Sequence, residues 1–244
     1  MKITKELLKE KGACAAGYCA FLKEYPVDKY PDGVEYQELL DCCAEKNFSY
    51  GSWLLGAFGK TDEVRKIDGD LIAEKDIIFA GQLEVKGCIK AGLGIKAGWG
   101  IKAGFGIEAG FGIEAGGGIK AGWSIKAGDG IEAGAGIEAG DGIEAGAGIE
   151  AGFGIEAGSG IEAGDGIKAG FGIEAGGGIK AGFGIEAGGG IKAGSGIEAG
   201  CEYGIYAGLR CRITDKILRK IIAKERPENI MCGEFEEKSD SEGK

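Results

Sequence analysis

Residues 125–148 read IKAGDGIEAGAGIEAGDGIEAGAG, four successive copies of the unit Ile-Glu/Lys-Ala-Gly-x-Gly. In an extended Ile-Glu-Ala triplet, alternation sends isoleucine and alanine to one side and the charged residue to the other. The Gly-x-Gly that follows is expected to turn the chain tightly, because glycine tolerates backbone angles that other residues avoid. A strand, a corner and the same strand again make a solenoid. Its coils would stack through main-chain hydrogen bonds about 4.8 Å apart, so that each buries what a single repeat could not.

Outward from this stretch, isoleucine recurs every six residues from Ile89 to Ile197 without exception. The array fades in over 67–88 through imperfect copies: Leu71-Ile72-Ala73, Ile78-Phe79-Ala80-Gly81 and Leu83-Glu84-Val85. After residue 200 the spacing widens through Ile205-Tyr206-Ala207-Gly208, Ile213, Ile221-Ile222-Ala223 and Ile230-Met231-Cys232-Gly233, which reads as wider closing coils over 201–233. A helix over Lys216 to Lys224 is the alternative there. Residues 234–244 are acidic and serine-bearing, the composition of a disordered tail.

Residues 1–66 carry a different pattern. Apolar residues at helical spacing predict short helices over Ile3 to Lys11, Ala15 to Glu24, Tyr36 to Lys46 and Tyr50 to Phe58, punctuated at Tyr25-Pro26 and at Tyr30-Pro31-Asp32-Gly33. Such a region is expected to form a compact cap that hides one end of the solenoid. The fold class is therefore mainly β: a β-helix of hexapeptide repeats with a small N-terminal α-helical domain.

The charged column bears on the size of the coil. With three hexads per coil, residues 18 apart come into register and 10 of 16 Glu/Lys pairs are opposite in charge; at 12 apart, only 7 of 17 are. Opposite charges across a ladder stabilise it and like charges repel, which favours the triangular coil. The aromatic residues of the x column match slightly better at 12, as Trp99, Phe111 and Trp123 do, so a flattened coil of two hexads stays open.

Composition narrows the function. The 244 residues include 52 glycines and 3 prolines, and the net charge is −10. The segment MKITKELLKEKG has neither a long apolar run nor a cleavage pattern, and no stretch of about 18 apolar residues occurs, so a soluble cytoplasmic protein without membrane partners is expected. Cys14, Cys19, Cys42 and Cys43 lack the spacing of a zinc ribbon or finger and read as reduced thiols packed between helices rather than a metal site. None of the Gly-x-Gly segments precedes the Lys-Ser or Lys-Thr pair of a phosphate loop, and a ladder of exposed glutamates offers no cleft to separate two carboxyl pKa values. No catalytic residue, cofactor or metal ligand is assigned, and the expectation is a non-enzyme.

The Ile-x-Ala-Gly array is similar to hexad-repeat β-helical proteins. It departs from the left-handed acyltransferase type, which has a small residue two positions before the aliphatic one, where this chain places Trp99, Phe105 or Asp129, and which uses a histidine that this chain lacks. The charged-apolar alternation of Gln82 to Lys90 resembles bactofilin-like polymerising β-helices. The whole layout resembles a set of uncharacterised bacterial and phage-borne proteins in which segments like Lys11-Gly12-Ala13-Cys14, Gly17-Tyr18, Phe21-Leu22 and Trp53-Leu54-Leu55 precede a run of Ile-x-Ala-Gly units. That resemblance implies an architecture and no site residues.

Two surface features are candidate partner-binding sites. Residues 127–167 contain no lysine or arginine and hold Asp129, Glu132, Glu138, Asp141, Glu144, Glu150, Glu156, Glu162 and Asp165, a block of −9. On a rod this is an acidic belt: either a solvated face that aids solubility or a dock for a basic partner. The x column supplies Trp99, Phe105, Phe111 and Trp123, with Phe153, Phe171 and Phe183 further on, which either pack on neighbouring coils or form an apolar contact surface. A rod that binds another protein ranks first. A DNA-mimic inhibitor of a DNA-binding enzyme or defence complex is the alternative, and a self-assembling homo-oligomeric filament a further one. Direct nucleic-acid binding is disfavoured, because phosphate contacts need clustered Lys and Arg.

Overall fold

The computed structural model describes residues 1–200, 204–209 and 220–238. It is a parallel β-solenoid of about nine turns with a small helical N-terminal region, its strands forming three sheets of eight, nine and ten.

The helical region opens with β1 (Lys2–Ile3), α1 (Lys5–Glu10) and α2 (Ala15–Glu24), then β2 (Val34–Glu35), α3 (Tyr36–Lys46) and α4 (Gly51–Phe58). The helix expected from Ile3 begins later, because Ile3 pairs antiparallel with Val34. Thr4 caps α1 instead, its hydroxyl oxygen accepting from the Leu7 N–H at 3.2 Å. Tyr36 is buried at the centre and donates its hydroxyl to the carbonyls of Leu54 and Gly59 at 3.0 and 3.1 Å.

The solenoid follows as β3 (Val64–Ile67), β4 (Leu71–Ala73), β5 (Ile77–Phe79) and β6 (Gln82–Val85). Three-residue strands β7 to β25 then recur at six-residue steps from Ile89–Ala91 to Ile197–Ala199, and β26 (Ile205–Tyr206), β27 (Lys220–Ala223), β28 (Ile230–Cys232) and β29 (Glu234–Glu237) close the series. We call the eight-stranded sheet from β4 to β25 the first face, the nine-stranded sheet from β5 to β28 the second, and the ten-stranded sheet from β3 to β29 the third. Within a face the like residues stack: Ile107 pairs with Ile89 on one side and Ile125 on the other. Isoleucine and alanine point inward along the regular array and are almost entirely buried, forming one continuous apolar column, while the charged residue between them points out.

Four expectations need correction. In the fifth strand Ile77, not Ile78, takes the inward place, pairing with Ile95. Ile78 points outward into the helical core, where it packs with Leu40, Tyr36 and Ala80. Glu234–Glu237, expected in the tail, forms a strand paired with Lys220–Ala223, because Phe235 stacks on Ile221. The alternative helix over Lys216 to Lys224 gives way to β27 at Lys220–Ala223; residues 216–219, Ile213 and the rest of the tail from 239 lie outside the described residues. Finally, the helical region does not simply cap the end. Gln37 of α3 donates to the Ile78 carbonyl and accepts from the Ala80 N–H at 2.8 and 3.0 Å, which fixes the helices to the flank of the second face. Ile67, Leu71 and Ala73 at that end stay half-buried.

Glycine is required in the coil for a reason other than backbone angle. Among the described residues no glycine between 69 and 200 has positive φ. A Cβ on Gly110 would instead lie 2.1 Å from the Gly92 carbonyl oxygen, and one on Gly146 would lie 1.9 Å from that of Gly128. The glycine after each alanine is thus dictated by the approach of the coil in front. The second glycine has more room, with 3.2 Å at Gly112 and at Gly130, and Ser124 already occupies that position in its own hexad. Glu74, which follows β4, carries a side chain at the tight position because β4 is the edge strand of its face.

Candidate functional site on the charged faces and aromatic corners

The outward residue of each strand stands beside its counterpart in the next turn, so each face carries one ladder of charges. At several places where lysine meets glutamate, ion pairs form: Lys90 with Glu108 and Lys126 with Glu144 at 3.0 Å, Lys192 with Glu174 at 2.9 Å, and Lys168 with Glu150 at 3.6 Å. Lys96 pairs with Glu114 and Lys120 with Glu138 in the same way. These side chains are about half exposed, so each pair contributes on the order of 0.2–1 kcal/mol and sets charge pattern more than stability.

The acidic belt is therefore not uniform. Glu138, Glu144 and Glu150 lie one on each face, and all three are held by lysines of strands adjacent in the same sheet. Glu132 stands between Glu114 and Glu150 on the second face, and Glu156 between Glu138 and Glu174 on the third. Neither has a cation within ion-pair distance among the described residues. Glu162 follows Glu144 on the first face and lies across from Lys180 in register, without an ion pair among the described residues. Of the six glutamates in the belt's outward columns, these three carry no ion pair among the described residues, one per face. Composition alone could not separate them from their neighbours.

Asp129, Asp141 and Asp165 belong to the corners, which form ladders of their own. Trp123 N–H donates to the Phe105 carbonyl and Asp141 N–H to that of Trp123, so all three stand on the corner between the third and first faces. Phe111 and Asp129 are joined likewise on the corner between the first and second faces, with Asp165 and Phe183 further along it. Trp99 lies on the remaining corner, where Phe153 and Phe171 follow. The four aromatic residues read from the x column are thus spread over three edges and not gathered on one.

Within an edge the rings pair. Phe105 and Trp123 lie 4.7 Å apart, tilted, and Phe153 and Phe171 stack within 1° of parallel at 5.4 Å. Lys60 places its ammonium 3.0 Å from the centre of the Trp99 ring, a cation–π contact that periodicity could not reveal. Even so paired, these rings remain exposed, from 38% for Trp99 to 58% for Phe171.

The cysteines Cys14, Cys19, Cys42 and Cys43 are all free thiols, and among the described residues no group of three or more metal-ligating side chains converges. Burial pushes the Cys43 thiol up to about 12, and the same cause raises the Tyr36 phenol to about 12. No helix of the described residues is long and apolar enough to cross a membrane. No family model matches the chain, nor does any curated protein or solved structure.

Proposed function

We propose that this chain is a non-enzymatic rod that binds another protein through its corner aromatics and the carboxylates beside them, each turn of the rod being three hexads. Pairings such as Ile107 with Ile125, eighteen residues apart, support that count. The observation that carries the binding function is the exposure of the corner rings. The coil fills the same position elsewhere with Gly117, Ala135, Ser159 or Asp141, so folding does not demand an aromatic there. Large exposed rings on a rigid scaffold, rimmed by charge, are what protein contacts use.

DNA mimicry is weaker on length. Nine acidic residues within about two turns span roughly 10 Å of the rod at 4.8 Å per turn, whereas one turn of duplex occupies about 34 Å. Lysines 120, 126 and 168 also neutralise three of the nine. Filament growth is opposed at both ends. Arg65 occupies the isoleucine column at one edge, 3.9 Å from Asp41 of α3, and Glu237 faces the alanine column at the other. Charged side chains on an edge strand discourage a further strand.

The test is cross-linking mass spectrometry of the tagged protein with whatever it retains in its native host, repeated with Phe105→Ser and Trp123→Ser together. Cross-links that map to one corner in the wild type and vanish in the double variant, with the strand spectrum unchanged, are expected. A partner retained equally by both proteins would move binding away from these corners.

A further inference from the structure

The three long grooves on the solenoid faces are open and lined by charge, but the helical region holds a cavity of another kind. It is a half-open hollow of about 230 Å³ between α1, α2, α3 and α4, walled by Leu8, Phe21, Leu39, Tyr50, Trp53 and Leu54, with exposed Gly12 and Cys14 also in its lining. Its sole ionisable carboxylate is Glu24, which is held by Lys46 at 2.5 Å. Thiols, rings and small residues make up the rest of the wall, and the Cys43 thiol stays protonated because it is buried.

Small-molecule sites are concave and mostly apolar with few polar groups, and this hollow has that character. Its apolar wall offers water few hydrogen-bond partners, and apolar space of this order is known to take aromatic guests such as benzene. The space is kept open by small residues on one wall. Gly17 is in contact range of two others already, since a Cβ there would lie 3.4 Å from both the Cys14 sulfur and the Tyr50 ring. Phe21 with Tyr25 and Phe48 with Tyr50 are tilted pairs at 5.6 and 6.0 Å, which present ring faces and edges to a flat guest.

We infer that the helical region binds a small neutral aromatic molecule of about two fused rings in this cavity. The volume exceeds what one ring fills, the wall offers no cation to an anionic ligand, and Glu24 with Lys46 leaves no net charge for a cationic one. This site is separate from the corners and faces of the rod and stands whether or not they bind a protein.

Indole is a suitable probe, titrated into the full-length protein and followed by amide chemical shifts. Saturable shifts confined to residues of the four helices are expected, with a dissociation constant of about 1 mM or tighter. Thermal unfolding of the helices should move upward at saturating indole, as for any ligand that binds only the folded state. Ala13→Phe and Gly17→Leu each fill the cavity and should weaken indole at least tenfold; using both keeps the test sound if one fails to fold. Indole-3-carboxylate should bind at least tenfold more weakly than indole. The inference is overturned if indole shows no saturation, if a folded filling variant binds it as the wild type does, or if the carboxylate binds equally well.

Discussion

The Cβ that Gly128 lacks would fall 2.0 Å from the carbonyl oxygen of Gly110, one turn earlier on the same corner. A methyl group there has no room without parting the two turns. Gly128→Ala should therefore destabilise the rod by about 1–3 kcal/mol, the range for overpacking. Gly130→Ala, two residues on, meets the Gly148 carbonyl at 3.2 Å and should cost less than about 1 kcal/mol, offset in part by the lower entropy of the unfolded chain. Denaturant unfolding of the two variants side by side checks this, and equal midpoints would contradict the steric origin of the repeat.

The inward and outward columns give a second contrast. Ile143 is 1% exposed within the stacked column, so Ile143→Asp places an unpaired charge there at a cost of several kcal/mol and should unfold or aggregate the rod. Its neighbour Glu144 faces solvent and pairs with Lys126; Glu144→Lys should change stability by no more than about 1 kcal/mol. Circular dichroism of both variants reports the outcome.

The belt should divide into two functional classes if it contacts a basic partner. Replacing Glu132, Glu156 and Glu162 with glutamine removes the belt glutamates that carry no ion pair among the described residues and should reduce partner retention at least tenfold. Replacing Glu138, Glu144 and Glu150, which lysines already neutralise, should reduce it far less. Wild-type retention should weaken as salt is raised, since the Debye length falls from about 10 Å at 0.1 M to about 3 Å at 1 M. Identical behaviour of the two triple variants would make the belt a solubility feature.

Alkaline pH should attack the helices before the rod. Cys43 and Tyr36 are buried neutral in the helical core, raised to about 12 from ordinary values of 9.0 and 10.0. Between those values and 12 the unfolded chain loses protons that the folded one keeps, so stability is full below pH 9 and falls as pH rises beyond it. Among the described residues the rod core is apolar and has no such group. Helical ellipticity should accordingly melt at lower temperature at pH 10.5 than at pH 8 while the strand signal moves little. Thiol labelling at pH 8 should modify exposed Cys14 and Cys19 and leave Cys43 intact.

What could be read from the sequence was whatever repetition enforces. Burial of Ile113 and Ala115 with Glu114 outside follows from alternation alone, and nineteen repetitions leave no other register. Legibility failed where a residue answers to a neighbour outside the repeat. The Ile77-Ile78 doublet fits the coil in either register, and only the helical core decides which of the two turns inward. The strand at Glu234–Glu237 hides in an acidic stretch because Phe235 alone carries its apolar contact. The difference between Glu132 and Glu138 lies in which lysine stands one turn away, and the cavity between the helices has no sequence signal, since it is made of what four segments leave unfilled.

The identical pairing along the array also makes length a quantity that changes in discrete steps. Removing eighteen residues from the middle, Ile125 to Gly142 for example, would bring Ile143 onto Ile107 and shorten the molecule by about 4.8 Å with every later side chain on its original face. Removing six would move every later strand to the neighbouring face and carry Phe153 and Phe171 to a different edge. A tandem DNA repeat gains and loses units readily, so such a gene can alter reach and azimuth independently, one copy-number change at a time, without a new fold having to arise.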